Sequence, residues 1–152
     1  MIKNFTTIFC LILVLAATSC KKIDTTNDVN RTYISVINAS SSLGTYNFYM
    51  NNSKANSAAL PTGGVISYLE LASGAYETKF TTASSTESIF SKTLTLNANT
   101  VYSYYLIGNP EQFESVTSID VMTSGNPKAS IRVANMTPDA ESLNVTITRT
   151  TD

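Results

Sequence analysis

An all-β sandwich is the fold class this sequence predicts, and three observations carry the prediction. Seven segments between residues 32 and 122 alternate apolar and polar side chains with a period of two, the pattern of strands with one buried face. Turn-forming groups separate them: LG at 43–44, GG at 63–64, SG at 73–74, NAN at 97–99 and GNP at 108–110. Outside an N-terminal apolar run, no stretch has the length and 3.6-residue period of an amphipathic helix.

The strands are expected near 32–39, 45–51, 64–71, 75–82, 88–96, 100–107 and 115–122. Their inward positions give a core of Ile34, Val36, Tyr46, Phe48, Leu69, Leu71, Tyr76, Phe80, Leu94, Leu96, Tyr102, Tyr104, Leu106, Ile119 and Val121. Composition agrees. Charged residues are 14% of the 152, well below the usual quarter. Ser, Thr and Asn take their place, and Thr and Tyr suit pleated, half-wet surfaces. One domain of ordinary size fits this length.

Several function classes fall away on composition. The net charge of −1 gives no electrostatic case for binding nucleic acid. Histidine is absent, which removes Ser-His-Asp and Cys-His catalysis, histidine-ligated zinc and imidazole switching. No cofactor motif is present: Gly63-Gly64 is followed by neither a lysine nor a helix, so it is no phosphate loop.

The N-terminus carries an address. Lys3 precedes the apolar run FTTIFCLILVLAA, residues 5–17. Thirteen residues are too few for a membrane-spanning helix, which needs about 20, but suit a secretory signal. Ala17-Thr18-Ser19-Cys20 follows, and this arrangement resembles the bacterial lipobox, with Ala17 where leucine is commonest. The resemblance implies cleavage before Cys20, diacylglycerol on its sulfur and an acyl chain such as palmitate on the freed amine. The alternative is an ordinary signal with an incidental cysteine. Cys10 would leave with the signal. The expected organisation is therefore a signal at 1–19, a lipidated Cys20 with a polar tether through residue 31, a sandwich at 32–124, and a further segment at 128–152. A lipid anchor of this kind implies the bacterial cell envelope, the outer membrane foremost, with the membrane itself as one partner.

That last segment repeats the first. YISVINASSSLGTYNFYM from Tyr33 aligns without gaps onto SIRVANMTPDAESLNVTI from Ser130, at an offset of 97. Ile34, Val36 and Asn38 match Ile131, Val133 and Asn135, and Tyr46, Phe48 and Met50 match Leu143, Val145 and Ile147. A unit of about 97 residues has the size of an immunoglobulin-like antiparallel sandwich. The chain thus holds about seven strands of one sandwich plus a C-terminal hairpin from a second, incomplete repeat, expected to pack on the first unit. In Leu96-Asn97-Ala98-Asn99-Thr100-Val101-Tyr102, the Leu, Thr and Tyr are spaced as in the tyrosine corner of fibronectin type III sandwiches, with Ala98 in place of proline. Together the second hairpin, the ASGAY turn at 72–76 and LTLNANTVYSYYLIG at 94–108 resemble the domain of unknown function numbered 4397. That resemblance implies sandwich modules of secreted and envelope-attached bacterial proteins, often in tandem, and brings no catalytic residues.

Candidate contact residues are few. Asn109–Ser115, NPEQFES, reads as a loop with Phe113 between Glu111 and Glu114, and an aromatic beside carboxylates at a sandwich end suits a sugar or peptide. The competing reading folds Phe113 onto the sheet. Tyr102, Tyr104 and Tyr105 are candidates for a glycan-stacking platform, but alternation turns Tyr102 and Tyr104 inward and Tyr105 outward, and core packing is the better reading because a platform needs neighbours on one exposed face. Asp139 and Glu141 read as turn chemistry after Pro138 rather than as calcium ligands. The functional expectation is a non-enzymatic, membrane-anchored binding, adhesion or structural module with a glycan or protein ligand. A glycan-binding accessory of a polysaccharide-uptake system is the alternative.

Overall fold

The computed structural model describes residues 30–121, 131–138 and 140–148. Cys20, the signal, most of the tether and Asp139 lie outside the described residues. Among the described residues eight strands run in chain order: β1 (Arg31–Asn38), β2 (Tyr46–Met50), β3 (Ser53–Lys54), β4 (Val65–Ala72), β5 (Gly74–Thr82), β6 (Ser88–Leu96), β7 (Val101–Asn109) and β8 (Gln112–Ile119). They form two four-stranded sheets, ordered β4-β1-β7-β8 and β3-β2-β5-β6. The chain is an all-β sandwich, and all seven expected strands are present.

Pairing is antiparallel with one exception. β1 and β7 run parallel, from Tyr33↔Val101 to Asn38↔Leu106, which corrects the wholly antiparallel expectation. A short turn forces neighbouring strands to reverse, whereas β1 and β7 are joined only through the other strands, the kind of long crossover that permits parallel pairing.

The core lies between the sheets. Phe48, Phe80 and Tyr104 are fully buried, with ring centroids 4.9, 6.0 and 6.2 Å apart. Burying the Tyr104 hydroxyl requires a partner, and Thr78 Oγ1 provides one at 3.2 Å. Leu69, Leu71 and Tyr76 pack around this cluster half-buried. Met50, Leu60 and Ile107 are also buried, although the sequence pattern did not put them in the core. Ile119 lies opposite Tyr102 but is 59% exposed, and Val121 lies past the strand's end and is exposed as well. The phase of β8 was right. Its place at the sheet edge leaves the C-terminal end uncovered.

Two turns show how local sequence sets register. The backbone N–H of Asn97 donates to the Tyr102 hydroxyl at 3.1 Å, so the tyrosine corner forms without its proline. The second is the segment 109–115, which is not a loop. Asn109 pairs with Gln112, leaving only Pro110 and Glu111 as the turn, and Asn109 Oδ1 accepts from the amides of both Glu111 and Gln112. Gly108 enters this hairpin at φ 87°, where a Cβ would stand 2.1 Å from the Gln112 carbonyl oxygen; only glycine fits. β8 therefore begins three residues earlier than expected. The short β3 was missed because its hairpin turns on Asn51-Asn52, both at positive φ, a primed turn without glycine.

The repeat segment departs most from expectation. None of the described residues of 131–148 is in a strand, so the expected hairpin is not formed there. Ile131, Val133, Leu143, Val145 and Ile147 are exposed, while their counterparts Ile34, Val36, Tyr46, Phe48 and Met50 are all buried. The two sheets of the first unit close over a core of their own, and these side chains of the second copy are not part of it. Local chemistry is nonetheless repeated. Ser40 N donates to Asn38 Oδ1 at 3.2 Å, and Thr137 N donates to Asn135 Oδ1 at 3.1 Å. Both are the same asparagine turn.

Candidate functional site

Alternation assigns every strand residue to one of two faces. In the β4-β1-β7-β8 sheet, Ile34, Val36, Tyr102, Tyr104 and Leu106 point into the core. Tyr33, Ser35 and Ile37 of β1 and Ser103, Tyr105 and Ile107 of β7 therefore point outward. Register aligns them into rows. Glu70, Tyr33 and Val101 share one; Ser35, Ser103 and Ser118 the next; Val65, Ile37, Tyr105 and Val116 the third.

Tyr68 of β4 stands beside the serine row. Its hydroxyl donates to Asp120 Oδ2 at 2.7 Å, an oxygen that also bonds Ser103 of β7, so the tyrosine leans across β1 toward β7. Serine at 35 and 103 leaves room for it, and both serines are only 6% exposed. A larger residue at either position would lift the tyrosine off the sheet. Ser103 Oγ also donates to Asp120 Oδ2, at 2.7 Å. At the other end, Tyr33 donates to Glu70, which also pairs with Arg31. Tyr33 and Tyr68 are 37% and 44% exposed, and Tyr105 is half-buried. Two tyrosines thus join Tyr105 on one accessible face, flanked by Val65 and Val116.

Asp120 is the electrostatic centre. Its side chain is 9% exposed. The Arg132 guanidinium bonds its second oxygen, donates to Ser118 Oγ at 3.1 Å, and donates to the Ile119 carbonyl at 3.0 Å. Burial pushes the Asp120 carboxyl up, but hydrogen bonds from Ser103, Tyr68 and Arg132, with the Arg132 charge, outweigh it and hold the pKa below the ordinary carboxylate value. The same hydrogen bond, helped by burial and the carboxylate's charge, raises the Tyr68 phenol. A carboxyl depressed in the folded state stabilises above its unfolded pKa, and that contribution fades as pH falls through the folded pKa. In an NMR titration, Asp120 should therefore titrate below about 3.9, the ordinary aspartate value, and the Tyr68 contact should survive at pH 5. A midpoint at or above the ordinary value would contradict this network.

The four residues singled out from sequence do not form one site. Phe113 folds onto the sheet, its ring edge-on to Tyr46 at 5.4 Å between centroids. It lines a cleft of about 440 Å³ at the sandwich end with Pro110, Tyr46 and Ile89. Glu111 is exposed at the turn. Glu114 pairs in register with Ile107 on the outer side, where the Gln112 amide donates to it at 3.3 Å. Only Tyr105 belongs to the tyrosine face. Sequence reading missed Tyr33, Tyr68, Asp120 and Arg132. The parity of Tyr33 against Ile34 and Val36, and of Tyr68 against Leu69 and Leu71, already marked both tyrosines as outward. Among the described residues no three cysteine or acidic side chains come together as a metal site.

The family model for a domain of unknown function, DUF4397, matches residues 32–146. The chain belongs to this family. The match spans both the sandwich and most of the repeat segment. Among solved structures, the N-terminal domain of AlgF from P. aeruginosa is similar at 13% identity and a TM-score of 0.44, covering 61% of this chain and 96% of that one. No curated protein matches the sequence.

Proposed function

We propose that this DUF4397 chain is a bacterial envelope lipoprotein, anchored through Cys20, whose sandwich is a non-enzymatic binding module working through its outer tyrosine face. The observation that carries the working surface is the set of Tyr33, Tyr68 and Tyr105 on one accessible sheet face beside the Asp120 and Glu70 carboxylates. Flat aromatic rings offer apolar contact area at low entropic cost, and the half-exposed Glu70 carboxylate can accept hydrogen bonds. The lipobox-like ATSC and the polar tether through residue 31 support display from an envelope membrane.

The same observation favours a glycan as ligand, and so the accessory role in polysaccharide uptake as a second reading. Sugar rings present C–H faces that stack on tyrosine and hydroxyls that donate to carboxylates. The test is a glycan array probed with the folded domain and with Tyr105→Ala and Tyr68→Ala. Binding that weakens at least tenfold in either variant, the loss of about 1.4 kcal/mol of contact, supports this face. Binding that is unchanged in both, or that falls only in Phe113→Ala, moves the site to the sandwich end.

A further inference from the structure

The repeat and the Asp120 network meet at one residue. Arg132 belongs to the second copy, and the offset of 97 places it at the position of Ser35 in the first. Ser35 points outward from its sheet, between the inward Ile34 and Val36. Arg132 likewise stands between Ile131 and Val133. It reaches the first sandwich while both neighbours stay in solvent, at 73% and 59% exposure.

We propose that Asp120, Ser118 and the Ile119 carbonyl form an inter-repeat latch that takes an arginine from the outward face of the following repeat. The latch holds that repeat with its core-forming side chains turned away from the first sandwich. Its chemistry fits a guanidinium. One carboxylate oxygen is committed to two hydroxyl donors, Tyr68 and Ser103, so the other is left for a cation. A hydroxyl and a backbone carbonyl supply two more acceptors in the fork geometry that arginine matches and lysine does not. The partner is therefore the segment of the following repeat around Arg132, presented by its polar side. The apolar set Ile131, Val133, Leu143, Val145 and Ile147 remains free to complete a core of its own. This goes beyond the binding reading and stands without it: a failed glycan array leaves the latch untouched, and a failed latch leaves the tyrosine face in place.

Limited trypsinolysis of the full chain tests the latch. Cutting after residue 132 requires its release, so in Asp120→Asn it should speed up on the order of fivefold, since cleavage tracks the open population. The bond after Lys79, inside β5, reports in the same digest whether the sandwich itself has opened. Arg132→Lys, which changes no residue of either sheet, should also be cut after residue 132 several-fold faster than wild type, each rate being divided by that of the same chain unfolded in urea to remove trypsin's preference for arginine. Equal normalised rates at residue 132 in wild type and Arg132→Lys would overturn the latch. The orientation has its own probe, because the chain contains no tryptophan. Val133→Trp should emit as a water-exposed indole. Blue-shifted emission from a buried ring would mean that the second copy lies apolar face down and would overturn the orientation.

Discussion

Phe80→Ala should remove a large share of the sandwich's stability. The ring is fully buried between the sheets, packed on Phe48 and Tyr104. Emptying such a site removes both the transfer free energy of the ring and its dispersion contacts, about 3–5 kcal/mol in well-packed cores. Against a total of about 5–15 kcal/mol for a domain, that is at least about a fifth and up to all of it. In urea the midpoint should fall by about 2 M for a slope typical of small domains. Ile119→Ala is the matched control. Ile119 has the right parity for the core, but at the open end of an edge strand it is mostly exposed, so its truncation should stay within about 0.5 kcal/mol. A large loss at Ile119, or a small one at Phe80, would mean that the sheets pack on a different face.

That pair of residues also marks how far the sequence could be read. Alternation fixes which side chains share a face, and it did so for Phe48, Phe80, Tyr102 and Tyr104. It is silent on which strands lie at an edge, and this is why Ile119 and Val121 were expected inside. The strand positions were legible because glycine and asparagine turns punctuate them. The hairpin at 108–113 was not, because Pro110 after Asn109 signals a turn without giving its length. Gly108 belongs to the GNP turn signal, but its close approach to the Gln112 carbonyl, which sets where β8 begins, shows only in the fold.

The candidate site fared differently from the core. Tyr33, Tyr68 and Tyr105 each had readable outward parity, but they belong to three strands up to 72 residues apart in sequence. Only the order β4-β1-β7-β8 brings them together, and the parallel β1–β7 pairing sets their rows. Short-range patterns do not encode strand order. The attraction of Phe113 was local: an aromatic between two glutamates reads as a site, whereas Tyr46 across the sandwich end explains the ring as packing. The repeat was legible as sequence and as an asparagine turn. Its pairing was not, because alternation shows that a strand has an apolar face and not that a partner sheet is at hand.

The second large effect concerns Cys20. Buried acyl methylenes contribute about 0.8 kcal/mol each, and one chain alone anchors only reversibly. Two or three chains on a single residue make release from the membrane negligible. Cys20→Ser removes the sulfur that would carry the diacylglycerol, and with it the cleavage that would free an amine for acylation. The uncleaved apolar run would remain, short of the roughly 20 residues that span a bilayer, so membrane association alone does not separate the two forms. Incorporation of labelled fatty acid does. The measurement is metabolic labelling with radioactive palmitate in a bacterial host, comparing wild type with Cys20→Ser. The account predicts label on the wild-type protein and none on the variant; label on both, or on neither, would contradict a sandwich held at the membrane through this cysteine.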